Sequence, residues 1–186
     1  MPSASADARL VERAKDGDHD AFARLAADAV DRMHALASLI LRDPDDAEDA
    51  VQEALVSAWR ELHRLRDVER FEAWLRRLLV NACHDVGRRR RRHIHVSTAM
   101  ARGPVSLPDG WHRIEESDRL GRAFERLPLE QRVVLVLDHY LGLSGPEIAA
   151  ATGVSLGTVK SRTRYATRAM RAALEADDRL AELVRS

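Results

Sequence analysis

Between Ser155 and Arg171 the chain carries five basic side chains and no acid. Lys160, Arg162, Arg164 and Arg168 are interleaved there with Ser155, Thr158, Ser161 and Tyr165. Cations mixed with short hydroxyls and an aromatic ring suit a polyanion whose edges must also be read. A second basic concentration, Arg88, Arg89, Arg90, Arg91 and Arg92, follows Asn81 and Asp85. Arginines in a run neutralise phosphate, which supplies affinity and salt dependence without reading sequence. Asn81 offers both donor and acceptor for a base edge; it could equally hydrogen-bond within a helical bundle. A third set has the opposite sign: Asp49, Gln52, Glu53 and Val56, suited to a protein partner or to solvent. Catalytic patterns are missing. The eight histidines are scattered, without HExxH or Cys–His metal spacing, and there is no GxSxG and no phosphate-binding glycine loop. His93 and His95, flanking Ile94, are a weak metal hint. The reading expects a non-enzyme with no cofactor and no metal.

Helices must position these groups. In the stretch 143–174, Ser144 and Glu147 form a capping box ahead of a short helix that turns Ile148 and Ala149 inward. Gly153 suits the tight turn, Val154 an apolar plug, and Ser155 the cap of a second helix. That second helix buries Val159, Ala166 and Met170 and leaves Lys160, Ser161, Arg164, Tyr165 and Arg168 outside. This is the pattern of a helix–turn–helix whose second helix enters a major groove. A helical hairpin with a solvated basic face is the plainer alternative.

Upstream, the spacing predicts helices over 8–16, 19–41 and from Asp43 to about 62. The second places Phe22, Leu25, Ala26, Ala29, Met33, Leu36, Ala37 and Ile40 on one face. Asp43 caps the third, Pro44 starts it, and Asp45, Asp46 and Glu48 load its positive end. Ala47, Ala50, Val51, Ala54, Leu55, Ala58, Trp59 and Leu62 make its apolar stripe. After an irregular segment, a fourth helix carries Phe71, Trp74, Leu75, Leu78, Leu79, Ala82 and Val86. Residues 93–116 lack periodicity and read as a linker. A helix over 129–141 precedes the helix–turn–helix.

The expected fold is therefore all-α, with two small helical domains, 8–95 and 117–180, on a flexible linker at 96–116. Aromatics make up only 4% of the 186 residues, so Leu, Val and Ala must build the cores. The net charge of zero hides an acidic front, with 14 acids against 8 bases in residues 1–65, and two basic zones behind it. Cys83 has no cysteine partner, no apolar run approaches a membrane span, and the N-terminus lacks a signal-peptide core, so a cytoplasmic protein without membrane insertion is expected.

The segment LPLEQRVVLVLDHYLGLSGPEIAAATGVSLGTVKSR closely resembles the C-terminal, −35-binding domain of extracytoplasmic-function sigma factors. LRDPDDAEDAVQEALVSAWREL and RFEAWLRRLLVNACHDVGRRRR resemble their N-terminal domain, in the right order and separation. The resemblance implies a factor that binds core RNA polymerase and directs promoter-specific initiation. Asp49, Gln52, Glu53 and Val56 would then dock on the clamp coiled coil of the largest subunit, and the second domain on the flap of the second. Arg66, Asp67, Arg70 and Phe71 would lie in the loop capturing a flipped −10 base, followed by Asn81, Asp85 and Arg88 to Arg92 along the −10 helix. By their place in the stripe, Phe71 and Trp74 read as core rather than as stacking platforms. Ser155, Thr158, Lys160, Ser161, Arg162, Arg164, Tyr165 and Arg168 would face the −35 element. An anti-sigma factor is a further implied partner.

The sequence departs from the family at Thr163, where a larger aliphatic residue is usual, and Asp67 and Glu69 leave the base preference of the loop open. The chief alternative is a repressor or activator that binds a palindrome as a dimer. It accounts for 143–174 but leaves the acidic helix and the first basic zone unused.

Overall fold

The structure, a computed structural model, describes residues 4–94 and 114–185, with side chains from 8–92 and 120–176. The stretch expected as a linker lies outside the described residues as far as 113. The chain divides into two compact units between Gly103 and Pro104.

In the first unit, α1 (Ala4–Lys15), α2 (His19–Leu41), α3 (Pro44–Glu61) and α4 (Phe71–Ile94) form a bundle, with single 3-10 turns at Leu62–Arg64 and Val68–Arg70. Each start is a local chemical event. Asp18 accepts from the Ala21 amide at 3.0 Å and caps α2. Asp43 does the same for α3, accepting from Asp45 at 3.1 Å and Asp46 at 3.2 Å, with Pro44 at the first helical position. Between them Arg42 adopts φ 59, and its amide donates to the Ser38 carbonyl to end α2. Leu25, Ala29, Met33, Leu36, Ala37 and Ile40 of α2 meet Ala47, Ala50, Val51, Ala54 and Ala58 of α3 and Leu75, Leu79, Val80 and Cys83 of α4 in the core. Small alanines on α3 let its neighbours approach closely. One expected face is shifted. Ala21, not Phe22, is buried. Phe22 is half-buried and packs its ring against Trp59 at 5.0 Å, with His19 on the same indole at 4.5 Å. The Trp59 indole on α3 gives Phe22 and His19 an aromatic surface to pack on outside the fully buried core.

In the second unit, α5 (Ile114–Glu125), α6 (Leu129–Leu135), α7 (Gly145–Thr152) and α8 (Leu156–Arg185) pack together. The single helix expected over 129–141 is interrupted: Val136–Tyr140 is a π turn, closed by the Leu141 amide donating to the Val136 carbonyl at 3.2 Å. Five consecutive residues, Val133–Leu137, are all buried, so this segment is surrounded rather than amphipathic. Among the described residues no helix is long and apolar enough to cross a membrane.

Candidate nucleic-acid and protein interface

The helix–turn–helix is built as its local chemistry requires. The Glu147 carboxylate accepts from the Ser144 amide at 2.8 Å and from its hydroxyl at 2.5 Å, closing the start of α7. Gly153 takes φ +71 and its amide donates to the Ala149 carbonyl. Ser155 Oγ then accepts from the Thr158 amide at 3.1 Å and caps α8. Ile148 and Ala151, rather than Ala149, are the buried side chains of α7. On α8, Val159 and Ala166 are buried, and Met170 packs against a cluster of Leu127, Leu135 and Ala166.

The outer side of α8 exposes Lys160, Arg164, Tyr165 and Arg168. The Arg164 guanidinium lies over the Tyr165 ring at 5.4 Å, a cation–π contact between two exposed side chains. Thr158, Ser161 and Arg162 are half-buried, and the Ser161 hydroxyl donates back to the Thr158 carbonyl at 2.9 Å. Ser155 and Ser161 are thus engaged by their own helix. Thr167 and Arg171 extend the exposed face and were not singled out from the sequence. Their three- and seven-residue steps from Arg164 carry that signal.

On α4, Asn81, Asp85, Arg88 and Arg92 are exposed and fall on one stripe at steps of four, three and four. Arg77, also exposed, continues it by four residues in the other direction, a position the sequence reading passed over. Arg88 pairs with Asp85 within the stripe.

Two other arginines of the run leave it. Arg89 pairs with Glu53 of α3, both side chains 43% exposed. Arg90 donates to Asp43 at 2.6 Å and also pairs with Asp46. Burial pushes the Asp43 carboxyl up, but the Arg90 guanidinium and the Asp46 and Asp45 amides outweigh it and hold the group below the usual carboxylate range. The five arginines expected to act alike against phosphate are therefore not alike. The helical period that puts Arg88 and Arg92 outside turns Arg89 and Arg90 toward α3.

The loop before α4 holds Arg66, Asp67, Glu69 and Arg70 exposed. Asp67 caps its 3-10 turn through the Glu69 amide at 3.1 Å and meets Arg70 at 3.1 Å. The Lys15 ammonium donates to the Leu65 carbonyl at 2.6 Å, tying α1 to the start of this loop. The resemblance puts Phe71 in the base-capturing loop and its place in the stripe puts it in the core; the structure has it in the core. It is 6% exposed and packs beside Trp74 at 6.0 Å, so its ring belongs to the core. The first residue of α4 faces the bundle because the loop closes immediately before it.

On α3, Asp49, Gln52 and Val56 are exposed at steps of three and four, and Gln52 donates to Glu48 at 3.1 Å. Val56 is 48% exposed, an apolar spot within an acidic face. Glu53 stands beside them, engaged by Arg89. Among the described residues there is no group of three or more His, Cys, Asp or Glu able to hold a metal ion.

The family profile of sigma-70 region 2 matches residues 25–93, and that of sigma-70 region 4 matches residues 117–171. The chain is 37% identical over 156 residues to the ECF RNA polymerase sigma factor SigM of Mycobacterium tuberculosis, covering 84% of this chain and 78% of that one. It is 34% identical over 170 residues to the ECF RNA polymerase sigma-E factor of Escherichia coli K12, covering 84% and 87%. Among solved structures it is similar to CnrH in complex with the cytosolic domain of CnrY, with a TM-score of 0.65 and 30% identity over 92% of this chain and 99% of that one. It is also similar to the sigma factor RpoE bound to the anti-sigma factor NepR from Bartonella quintana, with a TM-score of 0.67 and 26% identity over 84% and 98%.

Proposed function

This chain belongs to the extracytoplasmic-function group of sigma-70 factors, and from that premise we propose that it binds core RNA polymerase and directs promoter-specific transcription initiation. The observation that carries the reading is the pairing, in one chain, of an acidic helix face beside a basic stripe in the first unit with a capped helix–turn–helix in the second. A DNA-binding module alone needs only the latter.

In this reading Asp49, Gln52 and Val56 contact the polymerase clamp, with Glu53 at the margin, and the second unit meets the flap. Polar groups around an apolar centre suit such a docking site. The stripe of Arg77, Asn81, Asp85, Arg88 and Arg92 follows the −10 element, and the loop at Arg66–Arg70 receives a flipped base. Two acids in that loop repel phosphate and favour hydrogen-bond donors on the base edge. Lys160, Arg164, Tyr165 and Arg168 face the −35 element, positioned by the Ser155 cap. Domains at 8–95 and 117–180 joined by 96–116 divide these tasks. The factor acts in the cytoplasm, catalyses nothing itself, and is held in check by an anti-sigma protein.

Run-off transcription with cognate core polymerase on a genomic library tests the reading. Promoter-specific transcripts that depend on this chain are expected. Tight binding to a palindrome without core polymerase, and no transcript with it, would instead establish an ordinary repressor or activator.

A further inference from the structure

We infer that Arg90 is a positioning residue, which anchors the last turns of α4 onto the N-terminus of α3, and is not one of the groups that contacts DNA phosphate. The inference rests on reading α4 as the −10 helix.

Three observations carry it. The side chains of Arg90, Asp43 and Asp46 are only 26%, 18% and 20% exposed, so the guanidinium is withdrawn from the surface that Arg88 and Arg92 present. Asp43 divides its carboxylate. Oδ1 accepts from the Asp45 and Asp46 amides and caps α3, while Oδ2 accepts from Arg90 at 2.6 Å. The cap and the anchor are one structure, and displacing the arginine unsettles both. Finally, Arg90 Nη1 donates to both carboxylates, so this donor is spent on α3 rather than offered to phosphate.

Arg89 adds a second point of attachment, on Glu53. Asp46 and Glu53 are seven residues apart, about 10 Å along α3. Neighbouring arginines thus grip α3 two turns apart and fix how α4 lies across it. A run of five cations at a helix end repels itself, and carboxylates supplied from another helix relieve that repulsion. The helix then continues to Ile94 and keeps Arg88 and Arg92 in line with Asn81.

The test separates anchoring from phosphate contact. Arg90→Met with Asp46→Asn removes one charge of each sign and preserves net charge. Arg92→Ala removes an exposed cation. Thermal unfolding is measured for Arg90→Met, Asp46→Asn and the double variant, and the salt dependence of promoter binding is measured with each variant assembled on core polymerase. The expected results are a fall in Tm of roughly 5 °C for Arg90→Met, with strongly non-additive effects in the double variant. Promoter affinity should drop with the salt slope unchanged for the double variant, whereas Arg92→Ala should reduce the slope by about one unit. Arg90→Gln, which keeps a donor for Asp43 and removes the charge, should fold and show the same unchanged slope if Arg90→Met is too unstable to assay; a slope lowered by a full unit would place residue 90 on phosphate. A slope lowered by a full unit in the charge-neutral double variant, or additive Tm effects, would overturn the inference. If instead Asn81→Ala, Arg88→Ala and Arg92→Ala all leave promoter binding intact while the Tm coupling persists, the −10 assignment of α4 fails and the anchor stands.

Discussion

Gly157 occupies the second residue of α8 with no structural need for a glycine. It is not among the positive-φ residues, and a Cβ built there meets only Ser155 Oγ at 3.7 Å, an ordinary contact. Gly153, four residues earlier, is the opposite case, at φ +71. Replacing Gly157 by alanine reduces the freedom of the unfolded chain at no steric cost and should stabilise by about 0.4–1 kcal/mol. In a domain of this size that is roughly 2–8 °C in Tm. The same change at Gly153 forces a Cβ into the left-handed region and should destabilise by about 1–2 kcal/mol. Scanning calorimetry of the full chain, following the transition of the second unit, measures both. The stabilised Gly157→Ala variant should nonetheless bind a −35 duplex about tenfold more weakly by fluorescence anisotropy, because the N-terminal turn of a recognition helix lies against the duplex and the added methyl occupies that approach. A fall in Tm for Gly157→Ala would refute the packing argument. A rise in Tm with unchanged duplex affinity would refute the placement of this turn at the DNA.

Asp49→Lys with Gln52→Lys, both exposed and neither paired with α4, should weaken core binding more than tenfold in a titration while shifting Tm by less than about 2 °C; unchanged affinity would return this face to solvent. Arg164→Ala should change the ranking of −35 variants by about 1–3 kcal/mol at one position, measured as relative affinity across a panel; a uniform loss on all variants would mean phosphate contact. Phe71→Leu should preserve the −10 base preference, and Phe71→Ala should destabilise by about 3–5 kcal/mol; altered base preference in a stable Phe71→Leu variant would put the ring back at the DNA. Because the folded-state pKa of Asp43 is depressed, its contribution to stability is present above the unfolded value near 4 and is lost as pH falls below it. A stability profile of the first unit should therefore drop below about pH 4, and more shallowly in Arg90→Met; parallel profiles would contradict the pairing.

The most legible parts of this protein were those governed by near neighbours in the chain. Asp43 followed by Pro44, Ser144 three residues ahead of Glu147, the turn at Gly153 and the cap at Ser155 are each satisfied within about four residues, so residue type and spacing settle them. The division of α8 into a buried face of Val159 and Ala166 and an exposed face of Lys160, Arg164 and Arg168 follows from helical period alone. The two family-like segments made the functional class readable as well.

What the sequence left open was the choice among equivalent partners far apart in the chain. Five consecutive arginines are chemically identical, and nothing local says that Arg90 turns to Asp43 and Asp46, or Arg89 to Glu53, 36 residues or more away. That follows only when α4 lies across α3 and the helical period is set against a particular neighbour. The exchange of Phe22 for Ala21 on the buried face of α2 and the π turn at Val136–Tyr140 have the same origin. In each, an apolar or charged group has two acceptable environments, and the close packing of other elements decides between them.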